Sequence, residues 1–347
     1  MRARSTGLRD NNARVARSSV VILGAGFAGC ATAWALARRG VDAIVLEREP
    51  VLGRYASGRG AGLGRQLCED DATSALAIRG ATLLRTQFAE AWSPTGGILC
   101  FEEGTHAAEY VARAQRLAVE HAVVDRAAVL ARWPQLTDLS IASAIHVPSD
   151  GVIDAAALLR ALSANLHIEL GTAATGIRAG LVETTNGPIE ARVVVDAMGP
   201  WAGALTADKP LDSFKRHLFV VEAPPTARAP YVWHLGRAEH YLRAEGGNIM
   251  ASPCDGDVTV ASDQQPSDDA DERLHARLAN SAPALVRANI VRRWACQRAF
   301  APDRLMRLGR DPQRPWLVWA AALGGHGATA APAIGEVVAD AVVQALG

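Results

Sequence analysis

The sequence has 347 residues, and 49% of them are hydrophobic, so it can form one large domain or two domains with a substantial core. Lys plus Arg and Asp plus Glu both number 36, a balance that gives no support for nucleic acid or an anionic membrane as a partner. The cysteines are scattered, odd in number and without a C-x-x-C pair, which argues against a disulfide framework or a metal site and favours a cytoplasmic location: Cys30, Cys68, Cys100, Cys254 and Cys296.

Residues 1–18 are rich in arginine and lack an apolar segment of the secretory type, so they are predicted to be a disordered leader. No apolar run of about 18 residues occurs anywhere, and no transmembrane helix is expected, although peripheral association with a membrane stays open.

The first element after the leader is a buried strand that ends in a glycine-rich turn. Residues 20–29 read Val-Val-Ile-Leu-Gly-Ala-Gly-Phe-Ala-Gly. Gly24 permits a sharp turn, and Gly26 lets backbone N–H groups approach a pyrophosphate. Gly29 lets the following helix, predicted over 30–39, pack close to the sheet. This pattern is typical of a dinucleotide site at a helix N-terminus.

A second strand over 41–46 leads to Glu47. A carboxylate there can accept hydrogen bonds from ribose hydroxyls and repels a 2′-phosphate, whereas the neighbouring Arg48 weakens that repulsion. The unit therefore predicts a site for an unphosphorylated adenosine dinucleotide, FAD or NAD.

Two further apolar strands end in glycine, in residues 192–203 and 316–327, and an apolar helix is predicted over 332–346, with Pro332 in its first turn. Ligands of open α/β sheets bind beyond the carboxyl ends of the strands. We therefore expect one sheet to present three glycine loops to one cofactor, in a nucleotide-binding domain assembled from separate parts of the chain.

The predicted fold class is α/β, a discontinuous Rossmann-like domain with an inserted antiparallel-sheet domain for substrate. Alternating patterns over 216–222, 240–243, 247–252 and 257–262 predict the antiparallel strands, and 268–280 reads as helix. The predicted boundaries are 19–92, 141–208 and 297–347 for the cofactor domain, and 93–140 and 209–296 for the substrate domain.

Four motifs in order carry a family resemblance: the glycine motif ending at Glu47, then 56–62 (Ala-Ser-Gly-Arg-Gly-Ala-Gly), 196–202 (Asp-Ala-Met-Gly-Pro-Trp-Ala) and 324–329 (Gly-Gly-His-Gly-Ala-Thr). Together they resemble the D-amino-acid oxidase-like (DAO) superfamily of FAD-dependent oxidoreductases. D-arginine dehydrogenases and glycine oxidases are the nearest in appearance. The resemblance implies FAD, held without a covalent bond because the terminal glycine loop has no cysteine or tyrosine.

The glycine motifs and the resemblance together predict the residues around the cofactor. They are Gly24, Ala25, Gly26, Phe27, Ala28, Gly29, Glu47, Arg48, Ser57, Gly58, Arg59, Ala61, Gly62, Leu63, Ala174, Ala197, Met198, Gly199, Trp201, Gly324, Gly325, His326, Gly327, Ala328 and Thr329.

The resemblance also suggests the substrate site. Arg298 lies where the family places its carboxylate-binding arginine, and a salt bridge away from the site is the alternative. Tyr241 resembles the family's substrate-domain tyrosine, or it is a plain core residue. Arg216 or its neighbour His217 faces the cavity, or both are solvated. His326 touches the substrate or the flavin, or only caps the last helix.

The chain departs from the D-arginine type at three places. Leu63 and Cys68 stand where that type has a histidine and a tyrosine, and its acidic residue falls near Gly97. We therefore expect a substrate that is not a basic amino acid.

The sequence thus predicts an FAD-dependent enzyme that removes a hydride from the α-carbon of an amino or imino acid, with oxygen or a quinone as electron acceptor. Alternatives are a biosynthetic flavoenzyme of the same family, oxidation of a 2-hydroxy acid, and the flavin subunit of a hetero-oligomeric dehydrogenase. An NAD-dependent dehydrogenase is less consistent with the terminal glycine loop.

Overall fold

The computed structural model describes residues 16–137, 140–208, 210–226 and 228–347. The helices are α1 Phe27–Ala37, α2 Ala56–Arg59, α3 Asp71–Gln87, α4 Gly104–Arg116, α5 Arg126–Arg132, α6 Ala155–Ser163, α7 Ala270–Leu278, α8 Pro283–Val286 and α9 Gly327–Leu346. The strands are β1 Ala16–Leu23, β2 Ala43–Glu47, β3 Leu63–Gly64, β4 Trp92–Ser93, β5 Gly97–Phe101, β6 Ala122–Val124, β7 Ser143–Val147, β8 Gly151–Ile153, β9 His167–Leu170, β10 Ala174–Arg178, β11 Gly180–Thr184, β12 Ile189–Asp196, β13 Asp212–Val221, β14 Tyr231–Leu235, β15 His240–Glu245, β16 Asn248–Ser252, β17 Asp257–Thr259, β18 Ile290–Phe300, β19 Arg307–Arg310 and β20 Leu317–Ala321.

The first sheet is built on five parallel strands in the order β9-β2-β1-β12-β20, extended by the β10–β11 hairpin and by β19. The strands β1, β12 and β20, which precede the three glycine junctions, are neighbours, and their carboxyl ends lie at one edge of the sheet. The predicted convergence of three glycine loops is therefore confirmed. Helices α1 and α9 cover one face of this sheet and bury Val20, Ile22 and Val195.

The final helix differs from its prediction. It begins at Gly327 rather than Pro332, so the proline lies inside the helix and not in its first turn. The turn that ends at His326 is enough to start it, because the N–H of Ala330 already donates to the His326 carbonyl at 3.0 Å. By length and composition α9 is the one helix among the described residues that could cross a membrane, yet more than half of its apolar window is buried inside the protein.

The second sheet is mainly antiparallel, in the order β17-β13-β16-β15-β14-β5-β7-β6, with β18 along the other side of β13. It contains the strands predicted between residues 209 and 296. Sheet pairing also brings in β7, where Leu99 faces Ile145, and it carries β18 to Phe300. Both lie beyond the predicted domain boundaries, because backbone pairing with distant strands was not visible in the local pattern. The division into domains otherwise stays a prediction.

A short third sheet has the order β3-β8-β4. A Cβ at Gly64 would lie 2.4 Å from the Trp92 ring, so glycine at this position of β3 leaves room for the side chain of β4. The Thr329 hydroxyl donates to the Leu63 carbonyl at 3.0 Å, which ties β3 to the start of α9. The segment after β3 is thereby held beside the last glycine loop.

The predicted leader falls largely outside the described residues, which begin at Ala16. Its last three residues belong to β1, where Ala16 pairs with Ile189 of β12. The strand therefore starts earlier than its apolar core, because backbone hydrogen bonds to β12 extend into its polar end.

Candidate active site

A single long cleft runs from the carboxyl edge of the first sheet to the face of the second. Its lining includes Gly24, Gly26, Phe27, Ala28, Glu47, Arg48, Arg54, Tyr55, Ser57, Ala61, Gly62, Leu63, Arg65, Thr172, Ala174, Ala197, Met198, Gly199, Trp201, Arg216, Trp233, Tyr241, Cys296, Gln297, Arg298, Gly324, Gly325, His326, Gly327, Ala328 and Thr329. All four predicted substrate-site residues and 21 of the 25 predicted cofactor residues lie on its wall.

The first glycine turn is closed too tightly for side chains. Gly24 has φ +96°, and a Cβ there would lie 2.7 Å from the Ala197 carbonyl oxygen. At Gly26 a Cβ would lie 2.9 Å from Ser57 Oγ, and at Gly29 it would lie 1.9 Å from the Gly24 carbonyl oxygen. The three glycines therefore let α1, α2 and the turn after β12 meet around the N-terminus of α1, where N–H groups can bind a pyrophosphate.

Glu47 stands at the end of β2. One of its carboxylate oxygens accepts the Ala25 N–H at 2.9 Å, and the other accepts the Glu49 N–H at 3.0 Å. Each oxygen has further lone pairs, so the carboxylate can also accept from ribose hydroxyls. Beside it the Arg48 guanidinium lies 3.9 Å from the centroid of the Trp201 ring. This end of the cleft is suited to an adenosine.

Asp196 positions the turn after β12. This fully buried carboxylate accepts the Met198 N–H at 3.1 Å and the Gly203 N–H at 2.8 Å. Burial raises the pKa of Asp196 to about 6, partly offset by those two hydrogen bonds. Asp196 thus acts on the cleft by holding the turn that lines it.

Four predicted cofactor residues do not line the cleft. The Ala25 N–H is bound to Glu47, while Gly29 packs against Gly24. A Cβ at Gly58 would lie 2.0 Å from the Gly53 carbonyl oxygen, so this glycine closes the loop before α2. Arg59 turns away to pair with Asp263 at 2.6 Å. Each supports the shape of the site from behind, and their role toward a cofactor stays a prediction.

At the other end of the cleft, the second sheet presents Arg298, Arg216 and Tyr241. Arg298 has no salt-bridge partner among the described residues, and its buried Nε has no hydrogen-bond partner. Burial and the charge of Arg216 lower the pKa of Arg298 to about 10, so it is still protonated at neutral pH. A carboxylate bound here would supply both the missing charge and the missing acceptor.

Arg216 and Tyr241 line the same end of the cleft as Arg298. Arg216 is 6% exposed and donates to the carbonyls of Cys254 at 2.9 Å and Asp255 at 3.2 Å. Burial raises the pKa of the Tyr241 hydroxyl, which remains a hydrogen-bond donor. The neighbour His217 lies on the opposite face of β13 and bonds to Asp255, so strand alternation selects Arg216 for the cleft.

His326 links the last glycine loop to the segment after β3. Its Nε2 lies 3.0 Å from the Glu69 carboxylate and its Nδ1 lies 3.3 Å from Cys68 Sγ. Burial opposes the positive charge, but Cys68 and Glu69 outweigh this effect and raise the pKa of His326 to about 9. The ring is therefore an imidazolium at neutral pH, next to the loop that would surround a flavin.

Arg65 and Trp233 are among the lining residues that the sequence did not predict. Arg65 is 4% exposed, and its guanidinium lies 4.3 Å from the Trp233 ring centroid. Arg65 follows Leu63 at a spacing of two residues, which in an extended segment places both side chains on one face. This two-residue spacing could have predicted Arg65 as a lining residue, whereas nothing in the sequence around Trp233 indicated its place in the cleft.

The three positions at which the chain departs from the D-arginine type lie in different surroundings in the structure. Leu63 lines the cleft, while Cys68 lies behind it against His326. Gly97 is buried in β5, where a Cβ would lie 2.3 Å from the ring of Tyr231, so no side chain can enter the cleft from there. The described residues therefore provide no acid at the substrate end of the cleft wall.

The comparisons with known proteins agree with this geometry. The family model described as "DAO: FAD dependent oxidoreductase" matches residues 19–341. Glycine oxidase from Geobacillus kaustophilus superposes with a TM-score of 0.82 at 25% identity, covering 95% of both chains. L-proline dehydrogenase from P. horikoshii superposes with a TM-score of 0.87 at 22% identity, covering 95% of this chain and 94% of that one, a likeness of fold.

Among curated proteins, the tRNA 5-methylaminomethyl-2-thiouridine biosynthesis bifunctional protein MnmC of Maricaulis maris is 29% identical over 92% of this chain and 51% of its own length. Human mitochondrial sarcosine dehydrogenase is 30% identical over 54% of this chain and 23% of its own length. The chain thus spans about half or less of these relatives.

The residues present fit FAD. The glycine cradle at Gly24 and Gly26 has no room for a Cβ. Glu47 lines the cleft at the end of β2, and the loop of residues 324–327, with the N-terminus of α9, lines it as well. Backbone N–H groups and a helix N-terminus favour the negative charge that a reduced flavin carries.

Proposed function

Because the chain belongs to the DAO family of FAD-dependent oxidoreductases, we propose that it oxidises a small amino or imino acid at the carbon next to nitrogen. The observation that carries this proposal is Arg298, a protonated guanidinium on the cleft wall whose buried Nε has no hydrogen-bond partner among the residues described. The names of two relatives, a sarcosine dehydrogenase and a glycine oxidase, also denote α-amino acids.

FAD, when bound, supplies the hydride acceptor. The chain's own residues bind and orient the substrate: Arg298 would pair with its carboxylate through two parallel hydrogen bonds, and the Tyr241 hydroxyl would donate a further one. Such positioning of the reacting C–H bond is the main contribution that a protein makes to this chemistry. Water would then hydrolyse the imine product to a keto acid and ammonia or an amine.

Arg298 passes directly beside the last glycine loop. A Cβ at Gly325 would lie 3.8 Å from Arg298 Cδ. A carboxylate held by this arginine therefore lies next to the loop that would contact the flavin, which suits an α-carboxylate one bond away from the reacting carbon.

The test is anaerobic reduction of the bound flavin by a panel of D-, L-, N-methyl and cyclic amino acids and 2-hydroxy acids. We expect bleaching by an amino or imino acid, and a loss of apparent affinity of about 10- to 100-fold in Arg298→Gln, since a hydrogen bond to a charged group contributes about 1.5–3 kcal/mol. Arg293→Gln is the matched control, because Arg293 lies on the same strand, half-exposed and paired with Asp271.

Bleaching by 2-hydroxy acids alone would overturn the substrate class, and unchanged affinity in Arg298→Gln would remove Arg298 from the site. Peroxide formation on admitting air would then distinguish oxygen from a quinone as the acceptor.

A further inference from the structure

The substrate end of the cleft has more positive charge than one carboxylate requires. Its wall carries Arg65, Arg216 and Arg298, and the one acid on the whole described wall is Glu47, at the adenosine end. A single α-carboxylate needs one bidentate arginine. Arg298 is suited to that role, and Arg216 is already satisfied by two backbone carbonyls.

Neither the α-carboxylate nor the backbone carbonyls account for the third arginine, Arg65. It is 96% buried, and its Nη2 donates to Glu69 Oε1 at 2.7 Å, but its buried Nη1 has no hydrogen-bond partner in the part of the chain that the structure describes. Trp233 supports the flat face of the guanidinium, which fixes its orientation. An orphaned, buried donor on a charged group is costly unless a ligand completes it.

The carboxylate that pairs with Arg65 is shared with a second group. Glu69 is the partner of Arg65, but the same carboxylate pairs with the His326 ring at 3.0 Å, so one negative charge serves two positive groups. Glu69 is more than half exposed, which further weakens its effect on the buried guanidinium. Arg65 thus shares its carboxylate partner with His326.

Arg65 and Arg298 lie on different elements beside the same loop. The Arg298 side chain lies beside Gly325. Arg65 pairs with Glu69, and Glu69 also pairs with His326, the residue that follows Gly325. A ligand whose first carboxylate is on Arg298 can therefore extend along this loop toward Arg65.

We infer that the substrate carries a second anionic group, bound by the Nη1 edge of Arg65, so that the enzyme acts on an amino or imino dicarboxylic acid. This inference rests on the proposed function. It assigns Arg65 as the specificity residue, Trp233 as its support and Arg298 as the anchor of the α-carboxylate. An isosteric amide in place of the second carboxylate removes the charge that pairs with Arg65 but keeps the size.

The first experiment is calorimetric and does not depend on turnover. The holoenzyme is titrated with succinate and glutarate and with their half-amides. We expect each diacid to bind on the order of 10- to 100-fold more tightly than its half-amide in the wild type, and about equally in Arg65→Gln. Arg65→Lys keeps the charge without the fork and should retain part of the preference.

Arg116→Gln is the matched control, since Arg116 is an exposed arginine that pairs with Asp71 outside the cleft, and it should keep the full preference. Equal binding of diacid and half-amide to the wild type would overturn the inference. So would an Arg65→Gln variant that weakens both ligands by the same factor, because Arg65 would then act on the fold or the cofactor. If Arg65→Gln does not fold, the wild-type ratio and Arg65→Lys decide.

The second experiment compares anaerobic flavin reduction by aspartate, glutamate and N-(carboxymethyl)glycine with reduction by their amides. A preference for the diacids that disappears in Arg65→Gln supports the inference. Equal reduction by acids and amides would overturn it while the proposed function stands. Failure of every amino and imino acid would overturn the proposed function, and the calorimetric ratio would still test the second anion site.

Discussion

Substituting Gly26 separates two reasons for a glycine at the centre of the first turn. Gly26 has φ −81°, which alanine adopts easily, so strain in Gly26→Ala comes from the neighbouring atoms alone. The new Cβ would lie 2.9 Å from Ser57 Oγ, about 0.5 Å inside the 3.4 Å at which ordinary contact begins. Ser57 Oγ accepts the Phe27 N–H at 2.9 Å, so moving it by that amount breaks this hydrogen bond.

The magnitudes follow from this geometry. Ser57→Ala loses one hydrogen bond, about 1 kcal/mol of the free energy of unfolding. Gly26→Ala loses the same bond and retains strain, so we expect about 1–2 kcal/mol. In the double variant the clash is gone and the bond is already lost, and the reduced entropy of the unfolded chain offsets part of the cost. The double variant should therefore be at least as stable as Gly26→Ala, with a coupling energy of about 1 kcal/mol.

FAD affinity should behave differently, because the methyl group still occupies the space where backbone N–H groups approach the pyrophosphate. We expect the dissociation constant for FAD, measured by flavin fluorescence, to rise about 10-fold or more in Gly26→Ala and in the double variant, relative to Ser57→Ala. If the double variant regained the FAD affinity of Ser57→Ala, glycine at this position would serve only to accommodate Ser57, and the pyrophosphate argument would be refuted.

Two further predictions concern the supports of the site. Asp196→Ala leaves the Met198 and Gly203 N–H groups without their acceptor, so we expect the free energy of unfolding to fall by about 2 kcal/mol and FAD to bind more weakly. Both effects should be smaller in Asp196→Asn. Unchanged FAD affinity in Asp196→Ala would show that this turn does not hold the cofactor. The pKa of His326 is raised from 6.5 to about 9, so its protonation stabilises the native state fully below about pH 6.5 and this contribution, at most about 3 kcal/mol, is lost as the pH rises through 9. Denaturation curves of wild type and His326→Gln should therefore converge above pH 9, and a difference that does not change with pH would contradict the ion pair with Glu69.

The sequence by itself predicted the residues of the cofactor end of this protein, and 21 of them line the cleft. Positive φ at Gly24, close approach at Gly26 and an acid at the end of the second strand are requirements of a few consecutive residues, so they can be recognised without the fold. The three strand-to-glycine junctions were equally local, and parallel pairing of β1, β12 and β20 then brings their loops together. Local signals misplaced the start of α9, because Pro332 looks the same in a first turn and inside a helix.

The tertiary structure brought together the residues of the proposed substrate end, of which the sequence had suggested Arg216 and Arg298 but not Arg65 and Trp233. Arg65, Arg216, Trp233 and Arg298 come from four distant segments, and no local pattern shows that they share one wall. The choice between Arg216 and His217 depended on which face of β13 covers the cleft. The nitrogens of Arg65 and Arg298 that lack a partner among the described residues became visible only in the folded chain, because a missing hydrogen bond depends on the positions of residues distant in sequence.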